Sequence, residues 1–378
     1  MSKYLVVLAG IACALIYLFI AVPAKDNIQY LESEPLPLSA ASVEQSIAAC
    51  STQGEPTNGS DLALKNNNQW KVSKAITTAA IVWLVYEVYK TCIHGLLLPA
   101  SFKEVFSVRT YYKDANQICR YGDPVSVSTL KLFFVAQGVK VNALEVSSNP
   151  LCEEASVCHL IFINGNNGEY DDIRREMHDF VEYGNEFKVF SFNYPKIGMR
   201  TRSPQLIIKL GIDFVGHLLQ NEGAKNVVLI GRSMGGAFAS YIASWFHKHN
   251  QPIGLITDRS FTCLSTVASS HCGGLPVWLC DVFLGIAGWR LVPSKVIKDI
   301  PKTWQCHYFS NKDDTIGSSG NTKKYAPDYR VKEITYILGC YVGDMHNADI
   351  RCLRVQDGSY LDDQVRVIRA FRDKQLVQ

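Results

Sequence analysis

"NVVLIGRSMGGAFASYIASWFHKH", Asn226–His249, changes character at its centre: an apolar run, Val227–Ile230, meets a cluster of glycines around one hydroxyl, and an Ala-rich segment follows. That order predicts a buried strand, a tight turn and a helix. The turn carries the spacing G-x-S-x-G, Gly231 to Gly235, with Ser233 in the middle. A nucleophile in such a turn must be lifted clear of the backbone on a strained bend, and side chains at Gly231 or Gly235 would strike the neighbouring strand and helix. Gly236 gives further room. The bare spacing is common among proteins, so the strand before it and the helix after it carry the reading.

The same alternation extends in both directions. Upstream, "VKVNALEV" from Val139 alternates as a strand, and "CHLIFINGNNGEY", Cys158–Tyr170, reads as a buried strand ending in a tight loop. A helical stretch near Ile173–Tyr183 leads to the strand "FKVFSFNYPKIGMR" and the amphipathic "PQLIIKLGIDFVGHLLQ". Downstream come "IGLITDRS", "WQCHYFSNKDD" and "EITYILGCYVG", with a strand expected over Ile334–Leu338, and then a C-terminal helix, "LDDQVRVIRAFRDK". Alternating strands and helices predict an α/β protein: a mostly parallel sheet covered by helices on both faces, with functional groups gathered at the carboxyl ends of the strands.

Composition narrows the function classes. The chain has 378 residues, 47% of them hydrophobic and 19% charged, which suits one large folded domain with an N-terminal extension. A net charge of +3, with Lys and Arg scattered, supplies no basic surface for nucleic acid. The twelve cysteines form no CxxC pair and no zinc-type spacing with histidine, so no structural metal is expected and buried thiols are favoured over a disulfide framework.

The N-terminal segment points to a membrane. "YLVVLAGIACALIYLFIAVPA", Tyr4–Ala24, has no charge, matches a bilayer core in length, and reads first as an uncleaved single-pass anchor. Cleavage after Ala24 is the alternative, and the protein would then be secreted. Residues 25–74 read as a linker, and 75–135 as a helical region. Within it Ala75–Tyr86 is apolar, with Glu87, Lys90 and His94 following, the pattern of an amphipathic or re-entrant helix, with a second full span as the alternative. Residues 136–378 form the α/β domain, with a cap-like insertion near 261–296 rich in Trp, Leu, Phe and Gly; its Trp278 and Trp289 are candidate lipid contacts.

The element order, the elbow "GRSMGG" and the loop "NGNNG" together resemble the α/β-hydrolase superfamily from Val139 to the C-terminus. The likeness is to its membrane-tethered serine hydrolases with an "HGNxG" loop and, more loosely, to hydrolase-like proteins of intracellular bacteria. The resemblance implies Ser233 as nucleophile, followed in the chain by an acid and then a histidine base. The family's G-x-x-D-x-x-V pattern falls on Asp313, with Asp314 in reserve; His346, in "GDMHNAD", alone follows Asp313. His307 reads as a core or face residue within a strand, and His247 and His249 suit the end of a helix.

The oxyanion donors implied are the backbone N–H groups of Met234 and Asn166. Asn164 stands where the family commonly has histidine, and Gly165 and Gly168 allow close approach to a substrate. The function expected is a membrane-associated serine hydrolase acting on an ester or thioester through an acyl-enzyme, without metal or organic cofactor. Its partners would be an acyl or lipid ester, or an acylated protein, and the membrane itself. The alternatives are a catalytically silent interaction module of the same fold, or an acyltransferase using the same residues.

Full-length protein is expected to resist carbonate and high-salt extraction from membranes and to begin at or near Met1; a mature N-terminus near Lys25 would identify a cleaved signal. A truncated chain beginning at Lys25 is expected to be released only in part, because Ala75–Tyr86 can lie in the interface. Its complete solubility without detergent would assign attachment to the first segment alone.

Overall fold

Buried apolar runs become neighbouring strands of one sheet. The computed structural model describes residues 76–91, 93, 126–134, 140–148, 157–165, 173–194, 203–313, 315–324, 330–337 and 345–375. Its strands are β1 (Ser126–Phe134), β2 (Lys140–Ser148), β3 (Cys158–Ile163), β4 (Phe187–Phe192), β5 (Asn226–Arg232), β6 (Gly254–Asp258), β7 (Gln305–Phe309) and β8 (Arg330–Glu333). They form an eight-stranded sheet in the order β1-β2-β4-β3-β5-β6-β7-β8. The pairs β1·β2 and β2·β4 are antiparallel; from β4 to β8 every neighbouring pair is parallel. Every residue of β3 and β6 is buried, as expected of parallel strands covered on both faces.

The pleat shows which helices take which face. Helix α2 (Arg174–Tyr183) follows β3, α3 (Pro204–Asn221) follows β4, and α4 (Met234–Lys248) follows β5. On β4, Phe187 meets Phe180 of α2, whereas Phe190 and Phe192, of opposite parity, meet Phe214 of α3. Helix α4 joins α3: a side chain at Gly211 would strike Ile242, so the missing Cβ lets the two helices approach closely. The chain ends in α7 (Tyr360–Gln375), tied to α2 and the turn behind it by Tyr183 to Asp362 and Arg369 to Glu186. Helices therefore cover both faces.

Between β6 and β7 lie α5 (Leu264–His271) and α6 (Val277–Ile286), the insertion expected from sequence. It is half core and half surface. Trp289, Ala287 and Leu291 are fully buried, while α6 exposes Val277, Trp278, Val282 and Ile286. Trp289 is therefore corrected from a lipid contact to a core residue; Trp278, 68% exposed, keeps the surface position.

Two other boundaries shift. The stretch 75–135 includes β1, so the sheet starts at Ser126. Its alternation mixes Ser and Thr with Leu and Phe, and it becomes a strand by pairing along its full length with β2. The strand expected over Ile334–Leu338 divides instead: β8 ends at Glu333, and β9 (Thr335–Tyr336) turns away into a small sheet with β10 (Leu353–Val355) and β11 (Gly358–Ser359). The buried Ile334 marks the break.

The chain divides into two compact units, Met1–Tyr89 and Lys90–Gln378. Helix α1 (residues 76–91), whose residues 76–89 belong to the first, exposes Ile76, Ile81, Trp83, Leu84 and Val88. No helix among the described residues is long and apolar enough to cross a membrane. The run Tyr4–Ala24 and the linker 25–74 lie outside the described residues. Among those described, Cys158, Cys263, Cys272, Cys280, Cys306 and Cys352 are not joined in disulfides.

His307 lies in β7 as a core residue, its ring nitrogens facing Thr257 Oγ1 and Gln305 Oε1, each at 2.8 Å. Burial pushes its imidazole down to about 3 from an ordinary 6.5. Between these values the unfolded chain binds a proton that the folded chain excludes, so this contribution to stability is lost as pH falls from about 6.5 toward 3. His307→Gln is expected to flatten the acid-side fall in unfolding free energy by up to ~1.4 kcal/mol per pH unit, read from denaturant titrations across that range. An unchanged slope would refute the neutral buried imidazole.

Candidate active site

Ser233 sits between β5 and α4 with φ 53° and ψ −122°, a backbone conformation that L side chains rarely adopt. The strain is of order 1–3 kcal/mol and persists only where surroundings hold it. Its N–H donates to Asp258 O at 2.9 Å, and its carbonyl accepts from Gly236 N–H at 3.1 Å and from Ser260 Oγ at 2.7 Å. The glycines make the bend sterically feasible. A Cβ on Gly231 would lie 2.5 Å from Gly235 O, and one on Gly235 would strike the Ile163 and Asn164 carbonyls at the end of β3.

The base arrives from a distant part of the chain. His346, in a single turn over Met345–Asn347, brings Nε2 to 2.8 Å from Ser233 Oγ. Its Nδ1 lies 2.9 Å from Asp313 Oδ2. Asp313 follows β7 and is held by its other oxygen, Oδ1, which accepts the N–H groups of Thr315 and Ile316, each at 3.0 Å. All three residues are buried. This geometry fits an imidazole with its proton on Nδ1, donating to the carboxylate and leaving Nε2 free to accept the serine proton. Asp314, the reserve acid, lies outside the described residues.

The chain after β3 passes beside the serine at Gly165. A Cβ on Gly165 would be 3.4 Å from Ser233 Cβ and 4.0 Å from its Oγ, so backbone passes directly beside the hydroxyl. Met234 opens α4, where its N–H has no intrahelical acceptor and faces the positive end of the helix dipole. Asn166, the expected second donor, and Gly168 lie outside the described residues. Asn164 is buried, its carbonyl accepts the Tyr194 hydroxyl, and among the described residues neither atom of its side-chain amide has a hydrogen-bond partner.

Sequence reasoning missed a buried charge cluster beneath these groups. Arg232, next to the nucleophile, meets Glu176 of α2 at 2.9 Å and Asp258 at 3.2 Å. Asp258 also pairs with its neighbour Arg259 at 2.6 Å. Burial alone would raise the Asp258 carboxyl, but Arg259 and Arg232 outweigh it and hold it down at about 2. Burial likewise raises Glu176, and Arg232 only partly offsets it. The signal available was "DRS" closing an otherwise apolar strand, charges where a buried run ends. Among the described residues no group of three His, Cys, Asp or Glu side chains could hold a metal.

No protein-family model matches the sequence, and no curated protein matches it. Solved structures are similar in part. An α/β hydrolase from Vibrio vulnificus is 16% identical, covering 64% of this chain and 81% of that one, with a TM-score of 0.48. A fungal esterase from Rhizomucor miehei is 14% identical over 66% of this chain and 85% of its own, with a TM-score of 0.45. Brefeldin A esterase, described as a bacterial homologue of human hormone-sensitive lipase, is 12% identical over 57% and 69%, with a TM-score of 0.41.

Asp313→Asn is expected to lower ester turnover by roughly 10³–10⁴-fold with an unchanged circular dichroism spectrum, because the amide presents the imidazole with the wrong partner. Asp314→Asn should cost little. The opposite order of effects would move the acid by one residue.

Proposed function

We propose that this chain, with the sheet order and strand-to-helix elbow of an α/β hydrolase, is a serine hydrolase that cleaves an ester or thioester through an acyl-enzyme. The observation that carries the reading is the buried line of contacts Ser233 Oγ to His346 Nε2, 2.8 Å, and His346 Nδ1 to Asp313, 2.9 Å, on a strained serine backbone. A serine hydroxyl is a weak nucleophile until a base at hydrogen-bond distance accepts its proton.

In the proposed mechanism Ser233 Oγ attacks the carbonyl carbon while His346 Nε2 takes the proton, and Asp313 stabilises the imidazolium. The negative charge formed on the carbonyl oxygen is met by the Met234 N–H at the start of α4 and by a backbone donor from the loop after β3, in which we keep Asn166 as the candidate. His346 then protonates the departing alcohol or thiol. Water, activated by the same imidazole, hydrolyses the acyl-serine and regenerates the hydroxyl.

An acyl or lipid ester, or an acylated protein, is the substrate class we favour. Its support is the apolar stripe of α6, Trp278 with Val282 and Ile286 at successive intervals of four, on an insertion stitched to the acid's loop. His271 of α5 contacts Thr315 O at 2.8 Å, and Thr262 N–H donates to Gly320 O at 2.9 Å. The uncharged run Tyr4–Ala24 supports work at a membrane.

A fluorophosphonate probe should add to wild-type protein at a single residue, found at Ser233 by peptide mass spectrometry, and should leave Ser233→Ala unmodified. Equal labelling of the two would sink the assignment. Among p-nitrophenyl esters, kcat/KM should rise with acyl length from acetate to octanoate if α6 lines the acyl path, and a flat or falling series would remove the acyl preference.

A further inference from the structure

The loop that carries His346 is held by a residue with no part in the triad. Arg259 follows the last residue of β6 and is almost completely buried, with φ 46°, the second strained non-glycine backbone beside the site. Its own N–H donates to Tyr308 O of β7 at 2.9 Å, which fixes where the side chain begins. The guanidinium then divides its donors. Nε and Nη2 go to the two carboxylate oxygens of Asp258, at 2.9 and 2.6 Å. Nη1 goes to the backbone carbonyls of Met345 and Ala348, at 2.9 and 3.0 Å.

Those two carbonyls bracket His346, one residue before it and two after. The grip is on backbone, so the turn is held as a unit and the imidazole with it. Asp258 adds the other half of the link, because its Oδ2 also accepts from Nε of Arg232 at 3.2 Å, and Arg232 adjoins Ser233. A single carboxylate thus joins the arginine beside the nucleophile to the arginine that holds the base. From Arg232 to the His346 turn the path runs through charge-assisted hydrogen bonds, which are short and directional.

We propose that Arg259 is a positioning residue for the base: anchored by Asp258, it fixes the His346 turn through the Met345 and Ala348 carbonyls and so sets the reach of Nε2 to Ser233 Oγ. The inference rests on the serine-hydrolase reading above. Proton transfer over 2.8 Å leaves little slack, and a misplacement of ~1 Å in such a geometry can cost on the order of 100-fold in rate. Lysine cannot replace this arginine, because one ammonium on a shorter reach cannot span a carboxylate edge and two carbonyls at once, although it keeps the charge beside Asp258.

The test compares full-length wild type with R259K and, as a distant control, R369K, whose arginine pairs with Glu186 away from the site. The readouts are kcat and KM on p-nitrophenyl butyrate, the fluorophosphonate labelling rate below the unfolding transition, and the low-field proton signal of the imidazole Nδ1–H. For R259K, kcat and labelling should fall together by ~10–100-fold with KM within about twofold, and the low-field signal should weaken or broaden. R369K should leave all three unchanged.

A folded R259K with wild-type kcat, labelling and proton signal overturns the inference. Should R259K not fold, R259Q, which keeps a donor for one carbonyl, is read in the same way; failure of both to fold assigns Arg259 a purely structural role and overturns positioning. A wild type that neither turns over the ester nor reacts with the probe fails the hydrolase reading instead. The proton signal in wild type and variant then still decides whether Arg259 holds the imidazole.

Discussion

The backbone of Ser233 is the constraint on which the rest of the site depends. A non-glycine residue at φ 53° is held against its own preference, so everything touching it must be fixed first. Two backbone bonds and the Ser260 hydroxyl do this locally. The tight packing of Gly235 on the end of β3 does it from the other side, since the first turn of α4 lies directly on the Ile163 and Asn164 carbonyls. The same packing brings the loop at Gly165 beside the hydroxyl. The strained serine and the backbone of Gly165 beside its hydroxyl are thus two results of one close approach between β3 and α4. Neither could be adjusted alone.

Beneath that bend the sheet ends in charges rather than apolar side chains. Isolated, any of Glu176, Arg232, Asp258 or Arg259 would be costly to bury, and removing one partner from a buried pair typically costs ~3–5 kcal/mol. Together the two arginines and two carboxylates balance. They also come from separate segments: α2, which follows β3 in the chain, the elbow itself, and the end of β6. A hydrophobic cluster of the same volume could fill the space, but it would be non-directional, and the bidentate contacts of Arg259 with Asp258 fix angles as well as distances. The location of the cluster, next to both ends of the Ser233–His346 contact, is where angular precision has chemical consequences.

How much of this was legible in the sequence follows from which signals are local. The elbow was, because strand, glycine-bounded turn and Ala-rich helix are consecutive in the chain. Asp313 and His346 were named from chain order and family pattern, and the geometry brings both to the serine. The Asp258–Arg259 pair was not read, although "ITDRS" was in view, because its partners lie elsewhere in the chain: Arg232 is 26 residues away, the Met345 and Ala348 carbonyls are 86 and 89 away from Arg259, and carbonyls have no sequence signature. The break after Glu333 was missed for a related reason: "EITYIL" satisfies a strand pattern throughout, and only the pairing of Thr335 and Tyr336 with the β10 segment shows where the main sheet stops. Asn166 and Asp314 lie outside the described residues, so of the two expected oxyanion donors only Met234 is described.

The two tryptophans of the insertion make the same point. By composition Trp278 and Trp289 are equivalent, large apolar side chains in a segment with few charges. Their surroundings separate them: Trp289 is fully enclosed after the turn at Gly288, whereas Trp278 begins a helix whose next two same-face positions, Val282 and Ile286, are also open. Burial of Trp289, Ala287 and Leu291 fixes the insertion to the core, and that anchorage is what allows α6 to keep an apolar stripe exposed without collapsing onto it. The Asp281–Arg290 pair at its margin adds little attraction in water, so the outward face of α6 is dominated by its apolar area.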